Sequence, residues 1–307
     1  MDAAREEELN VGGLRLAREY YELCKPRVVM LIVFTAVVGM FLAVPGMPPL
    51  DLLIFATLGI TLQSASAAAI NQLVDRRIDA HMARTCGRPL VTGMLTVRQS
   101  ATFTALIGIA GFAILYWLVN PLTAWLTFGG LVGYAGIYTL YLKRATSQNI
   151  VIGGAAGAIP PVLGWAAMTG EVSANALLLF LIIFVWTPPH FWALAIERCK
   201  EYEDVDIPML PVTHGVEFTR TQVLLYTILL TIVSLLPFVV TMTGPVYGIG
   251  ALILDGVFLY YAIRLKWWPK KGLAMKTFAY SIIYLAGIFT LLMVDHYLPG
   301  SSVALSA

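Results

Sequence analysis

All 20 lysines and arginines of this 307-residue chain fall in alternate gaps between nine long apolar stretches. That pattern belongs to helices threaded through a membrane, because basic residues stay on one side of it. The stretches lie at 27–44, 51–70, 102–119, 122–142, 150–168, 174–196, 222–243, 246–264 and 277–295, and a bilayer crossing takes about 20 residues. With the N-terminus inside, the inner segments are 1–26, 71–101, 143–149, 197–221 and 265–276, and they or their boundaries hold every Lys and Arg. The outer connections around 44–50, 120–121, 169–173 and 243–245 hold none. The expected fold is therefore all-α and polytopic, with about nine transmembrane helices bundled into a barrel. Pro160-Pro161 and Pro188-Pro189 are expected to break the fifth and sixth helices, which is tolerated only where protein or a cavity covers the freed backbone groups. A central cavity follows. Gly129/Gly133 and Gly153/Gly157 have the spacing of close helix packing.

Composition agrees, since 59% hydrophobic residues, 12% charged residues and a mean hydropathy of +0.79 exclude a soluble domain. Residues 1–22 mix acidic and basic side chains and match neither a secretory signal nor an Arg-rich transit sequence. The expectation is a bacterial cytoplasmic membrane. A polar cytoplasmic segment (1–22) precedes a single membrane domain (23–298), with an outer tail (299–307). The net charge of +2 reports orientation in the lipid bilayer and gives no reason to expect nucleic acid. Cys24, Cys86 and Cys199 lack metal-ligand spacing and are expected to be reduced thiols.

The chemistry-bearing pattern is Asn71, Asp75 and Asp79, four residues apart and directly after an apolar span. On a helix they share one face. Such a row needs positive charge between its oxygens, and Mg2+ supplies it where a substrate carries phosphates. A solvated helix end paired to Arg76 and Arg77 is the plainer alternative. A second acidic cluster, Glu197, Glu201 and Asp204, stands at the foot of the sixth helix on the same side. Arg84, Arg88, Lys143 and Arg144 are placed to neutralise a diphosphate held between the clusters, or else to anchor the inner side.

The segment NQLVDRRIDAHMARTCGRPLVTG, starting at Asn71, resembles the first aspartate-rich motif of the UbiA-type intramembrane prenyltransferases. Within that superfamily, YTLYLKRATSQNIVIGGAAGAIPPVLGW (138–165), WTPPHFWALAIERCKEYEDVDIPMLPV (186–212), TFAYSIIYL (277–285) and Lys25-Pro26-Arg27 resemble the haem farnesyltransferase branch. The resemblance implies a nine-span helical barrel with an inner diphosphate site, and Asn71, Asp75, Asp79 and Glu201 as catalytic Mg2+ ligands. It implies substrate contacts from Arg84, Arg88, Lys143, Arg144, Asn149, His190, Glu197, Tyr202 and Asp204. The family more often has aspartate where this chain has Glu201, so the match is looser there. Farnesyl diphosphate and haem B are the implied substrates, Mg2+ the cofactor, and a haem A synthase or terminal oxidase the user of the product.

An allylic diphosphate ionises once its leaving group is stabilised. A haem vinyl group then attacks the farnesyl carbon and water captures the resulting cation. No Ser-His-Asp or Cys-His arrangement is required. His190 is the candidate ligand of haem iron, with a polar packing or hydrogen-bonding role as the alternative. Asp255, in mid-helix without a nearby base, is expected to hydrogen-bond between helices. Trp165, Trp186 and Trp192 are candidates for the cavity lining. A quinone-type prenyltransferase and a haem or anion transporter are the competing functions.

Overall fold

The computed structural model describes residues 2–298, with side chains from Gly13 onward. The tail expected at 299–307 lies outside the described residues. Fourteen α-helices follow in order: α1 (Asp2–Leu23), α2 (Pro26–Leu42), α3 (Leu50–Asp79), α4 (Val97–Leu118), α5 (Pro121–Leu131), α6 (Lys143–Ala145), α7 (Asn149–Ala158), α8 (Pro160–Thr169), α9 (Ala174–Glu197), α10 (Cys199–Glu203), α11 (Leu210–Thr213), α12 (Val216–Val239), α13 (Pro245–Trp267) and α14 (Leu273–His296). A π-helix, Val132–Leu142, joins α5 to α6. No strand occurs among the described residues.

Among the described residues seven spans are long and apolar enough to cross a membrane, α7 and α8 counting as one, and there are eight if the last half of α1 and α2 form one bent crossing. The expected crossing at 122–142 is built from α5 and the π-helix, helical without a break from Pro121 to Ala145. Trp117 is 76% and Ile109 68% exposed, which fits helices that face lipid.

The two proline pairs behave differently. Pro160 and Pro161 open α8 after a break at Ile159, where a helix start has no use for their missing N–H groups. Pro188 and Pro189 do not break their helix, and α9 runs through them from Ala174 to Glu197. Both are buried, so surrounding packing holds the helix although the carbonyls of Phe184 and Val185 lose their usual donors.

The tightest helix contact joins α2 to α8. A Cβ on Gly39 would lie 2.3 Å from the Pro161 carbonyl oxygen, and one on Gly164 would lie 1.9 Å from that of Ala36. Of the expected glycine pairs, Gly153 packs on the Tyr138 ring and a Cβ on Gly133 would lie 3.7 Å from that of Ala156, whereas a Cβ on Gly129 or Gly157 would meet nothing within 4 Å. Asp255 does bond between helices: Ser234 Oγ of α12 donates to it at 2.8 Å and Tyr284 Oη of α14 at 2.7 Å. At the opposite end of the bundle, Asp295 accepts the Tyr247 N–H at 3.0 Å and that of Gly244, closing the start of α13.

Candidate active site

The helix of α3 outlasts its apolar stretch, so Asn71, Asp75 and Asp79 ride on its last turns as one row. They are only 5%, 2% and 4% exposed. Carboxylates buried to that degree need partners, and each partner comes from a different segment. Lys143 Nζ donates to Asp75 Oδ2 at 2.7 Å, Arg88 pairs with Asp79, and Lys25 donates to Asn71 Oδ1. The Asn71 amide bonds Asp75 Oδ2 at 2.9 Å and Thr139 Oγ1 at 3.1 Å. Asp75 Oδ1 is buried with no hydrogen-bond partner. An orphaned carboxylate oxygen beside further acceptors suits a hard cation, so the residues present fit Mg2+.

The row forms one wall of a cavity of about 1100 Å³, which Lys25, Arg84, Arg88 and Lys143 also line. Tyr134, Tyr138, Gly153, Gly157, Thr187 and Phe191 continue the lining between the helices. The π-helix explains how Tyr134, Tyr138 and Lys143 converge. In an α-helix Lys143 would point roughly 140° away from Tyr138, but i→i+5 bonding stacks residues four and five apart on one face.

Lys25 reaches the row from the break between α1 and α2. Its backbone is left-handed, with φ 51° and ψ 60°, a costly conformation for a residue that precedes proline. Gln72 holds the break in place by donating to the carbonyl oxygens of Glu22 at 3.1 Å and Leu23 at 3.0 Å. The segment expected to be a polar extension thus joins the site, and Arg15, Arg18 and Glu22 of α1 also line the cavity.

The second acidic cluster is arranged otherwise. Glu201 Oε1 accepts from Arg198 at 2.7 Å, its neighbour three residues back, while Glu201 Oε2 is buried without a partner. Tyr202 lines the cavity and is 5% exposed, and burial raises its phenol above the ordinary value. Glu197, Glu201 and Asp204 are not among the cavity-lining residues. No group of three His, Cys, Asp or Glu side chains gathered for a metal occurs among the described residues.

Arg144 is exposed and away from the cavity lining. Asn149 is fully buried, donates to the Lys143 carbonyl at 3.4 Å, and leaves its own Oδ1 unpartnered. His190 is stacked between Trp186 at 4.2 Å and Phe278 at 4.6 Å, outside the lining, although Thr187 and Phe191 beside it belong to the lining. Ser281 Oγ donates to the Phe278 carbonyl at 2.6 Å and meets His190 Nδ1 at 2.6 Å. Trp165, Trp186 and Trp192 pack in the core and do not line the cavity.

Sequence reasoning passed over Lys25, Gln72, Tyr134 and Tyr138 as site residues. Lys25 had a signal in the Lys25-Pro26-Arg27 segment, but nothing in the sequence marks the π-helix that brings Lys143 to the face of the two tyrosines.

Known proteins resemble this chain in sequence and in fold. The protoheme IX farnesyltransferase of Nitrosospira multiformis is 62% identical over 281 residues, 92% of this chain and 94% of that relative. The protein of the same name from Nitrosococcus oceani is 60% identical, over 94% of this chain and 96% of its own. Among solved structures, a digeranylgeranylglyceryl phosphate synthase superposes with a TM-score of 0.77 at 18% identity, covering 92% of this chain and 99% of that one. A UbiA homologue from Archaeoglobus fulgidus bound to GPP and Mg2+ gives 0.65 at 17% identity, covering 89% and 99%. Residues 32–289 match the UbiA prenyltransferase family, and with the fold, the buried acidic row and these relatives in agreement, the chain belongs to that family.

Proposed function

We propose that the protein transfers the farnesyl group of farnesyl diphosphate to a vinyl group of haem B, with addition of water, giving haem O and diphosphate. The observation that carries this reading is the acidic row set among four cationic side chains in the wall of one large cavity. The name borne by relatives about 60% identical selects haem as the acceptor over a quinone-type ring. The volume of about 1100 Å³ slightly exceeds the ~300–1,000 Å³ usual for small-molecule sites, as a long prenyl chain beside an acceptor requires.

Asn71, Asp75 and Asp79 would hold Mg2+, with Glu201 joining from the second cluster. Bound Mg2+ supplies Lewis-acid stabilisation of the departing diphosphate. Lys25, Arg84, Arg88 and Lys143 add fixed positive charge at the same place, so cleavage of the farnesyl C1–O bond builds its negative charge where the site already expects it. The hydrocarbon chain would lie along Tyr134, Tyr138 and the glycines of α7. Their apolar surroundings keep water from the farnesyl cation until the vinyl carbon attacks. Asn149 positions Lys143 through its backbone. His190, held at Nδ1 by Ser281 behind the lining residues Thr187 and Phe191, would be the side chain to contact haem iron through Nε2.

We place the protein in the bacterial cytoplasmic membrane with the N-terminus and the diphosphate site inside, on the distribution of all 20 basic residues. A haem A synthase or terminal oxidase would consume the product. The test is to incubate membranes containing the protein with haem B and farnesyl diphosphate, with and without Mg2+, and to analyse extracted haems by chromatography and mass spectrometry. A Mg2+-dependent hydroxyethylfarnesyl haem, absent with Asp75→Asn/Asp79→Asn, is the expected product. Unmodified haem alongside a prenylated aromatic acceptor would sink the haem assignment.

A further inference from the structure

A second groove opens at the basic end of the bundle, away from the site just described. Its volume is about 340 Å³, and it lies between the end of α9, the start of α12, the end of α13 and the start of α14. Arg220, Lys270 and Lys271 line it against a single carboxylate, Glu197. Glu217 engages Arg220 and Lys266 nearby, but among the described residues no carboxylate pairs with Lys270 or Lys271. Arg220 Nε is likewise buried without a hydrogen-bond partner. Two unpaired ammonium groups and an unsatisfied guanidinium N–H, gathered in a concave site, call for an anion.

Its depth suggests which anion. Four helix ends of membrane spans surround the groove, and Trp267 and Trp268, 57% and 61% exposed at the end of α13, mark the level of the lipid headgroups. Phe218 on α12 and Ile263 on α13, helices that border the groove, are exposed apolar side chains, which suits contact with acyl chains. Val216 and Ala274, in the first turns of α12 and α14, line the same groove, and the N-cap residues Gly215 and Gly272 provide no side-chain cap. Basic pockets between spanning helices bind anionic headgroups in this way.

We propose that the groove lined by Arg220, Lys270 and Lys271 binds the phosphate of an anionic phospholipid from the surrounding leaflet, independently of the transfer reaction. Native mass spectrometry of the full chain, titrated separately with phosphatidylglycerol, phosphatidylcholine and inorganic phosphate, tests it. Phosphatidylglycerol is expected to bind at least tenfold more tightly than phosphatidylcholine, and inorganic phosphate more weakly than either. Lys270→Gln/Lys271→Gln should weaken phosphatidylglycerol roughly 30-fold, two lysines at about 1 kcal/mol each. Arg77→Gln/Lys200→Gln, which removes equal charge from exposed positions elsewhere, should change it less than threefold. Equal binding of the two lipids by the unaltered protein, phosphate binding as tight as lipid, or equal losses in the two double variants would each overturn the proposal. The lipid comparison in the unaltered protein stands whether or not a variant folds.

Discussion

The two acidic clusters look alike as sequence, carboxylates at four-residue spacing at the foot of a membrane helix, yet the protein handles them in opposite ways. Asn71, Asp75 and Asp79 are buried in the cavity wall and tied by Lys25, Arg88 and Lys143, residues 46, 9 and 68 positions away. Glu201 is tied by Arg198 within its own turn, and Tyr202 beside it reaches the cavity where Glu201 does not. The first cluster is preorganised by tertiary contacts. The second is held locally by a partly exposed pair, the kind worth about 1 kcal/mol or less. What they share is one buried, unpartnered carboxylate oxygen each, Asp75 Oδ1 and Glu201 Oε2.

The largest effect should follow chelation of Mg2+, which is expected to abolish turnover while leaving the helical content unchanged by circular dichroism. Next, Asp75→Asn should lower kcat/KM by about 10³-fold, the upper range for removing one transition-state stabiliser, with no recovery at high Mg2+. Glu201→Gln should cost about 10²-fold and recover in part as Mg2+ is raised, because a recruited ligand adds affinity to a site already built. Equal losses without rescue in both variants would erase the distinction between a formed and a recruited cluster.

Stability separates the clusters in a further way. Asp75→Asn leaves the Lys143 ammonium buried without its carboxylate, so unfolding free energy should fall by about 3 kcal/mol. Asp75→Asn/Lys143→Gln should regain most of that without regaining activity, the non-additivity expected of a contacting pair. Arg198→Gln should shift stability by less than about 1 kcal/mol and leave turnover within a few-fold of the unaltered protein. A loss as large as that of Asp75→Asn would show that the local pair is part of a preformed site.

These contrasts also mark where sequence reasoning stopped. Periodicity and charge exposed the row on α3, because a helix must stack residues four apart. They could not tell its burial from the exposure of Asp204, since the two patterns differ only in which distant cations fold over them. The proline pairs make the same point: Pro160-Pro161 sits at a helix start and Pro188-Pro189 inside a helix, and the surrounding core decides between those outcomes. His190 was legible as an unusual intramembrane histidine with Trp186 one turn before it on α9, but the Phe278 ring on its other face and the Ser281 bond to its Nδ1 come from α14, which meets α9 only on packing.

The sequence by itself determined that this chain crosses a membrane many times as helices, which end gathers its basic residues, and where an acidic row waits at that end. Hydrophobic length, the one-sided placement of Lys and Arg, and 3.6-residue periodicity are local or additive properties, readable without a fold. Only the tertiary structure decided which cations meet which carboxylates, the left-handed turn that brings in Lys25, the π-helix that aligns Tyr134, Tyr138 and Lys143, and the backbone contact at Gly39 and Gly164. Each of these is a compromise between a local conformational cost and contacts made by residues far away in the chain, and that balance exists only once the helices have packed.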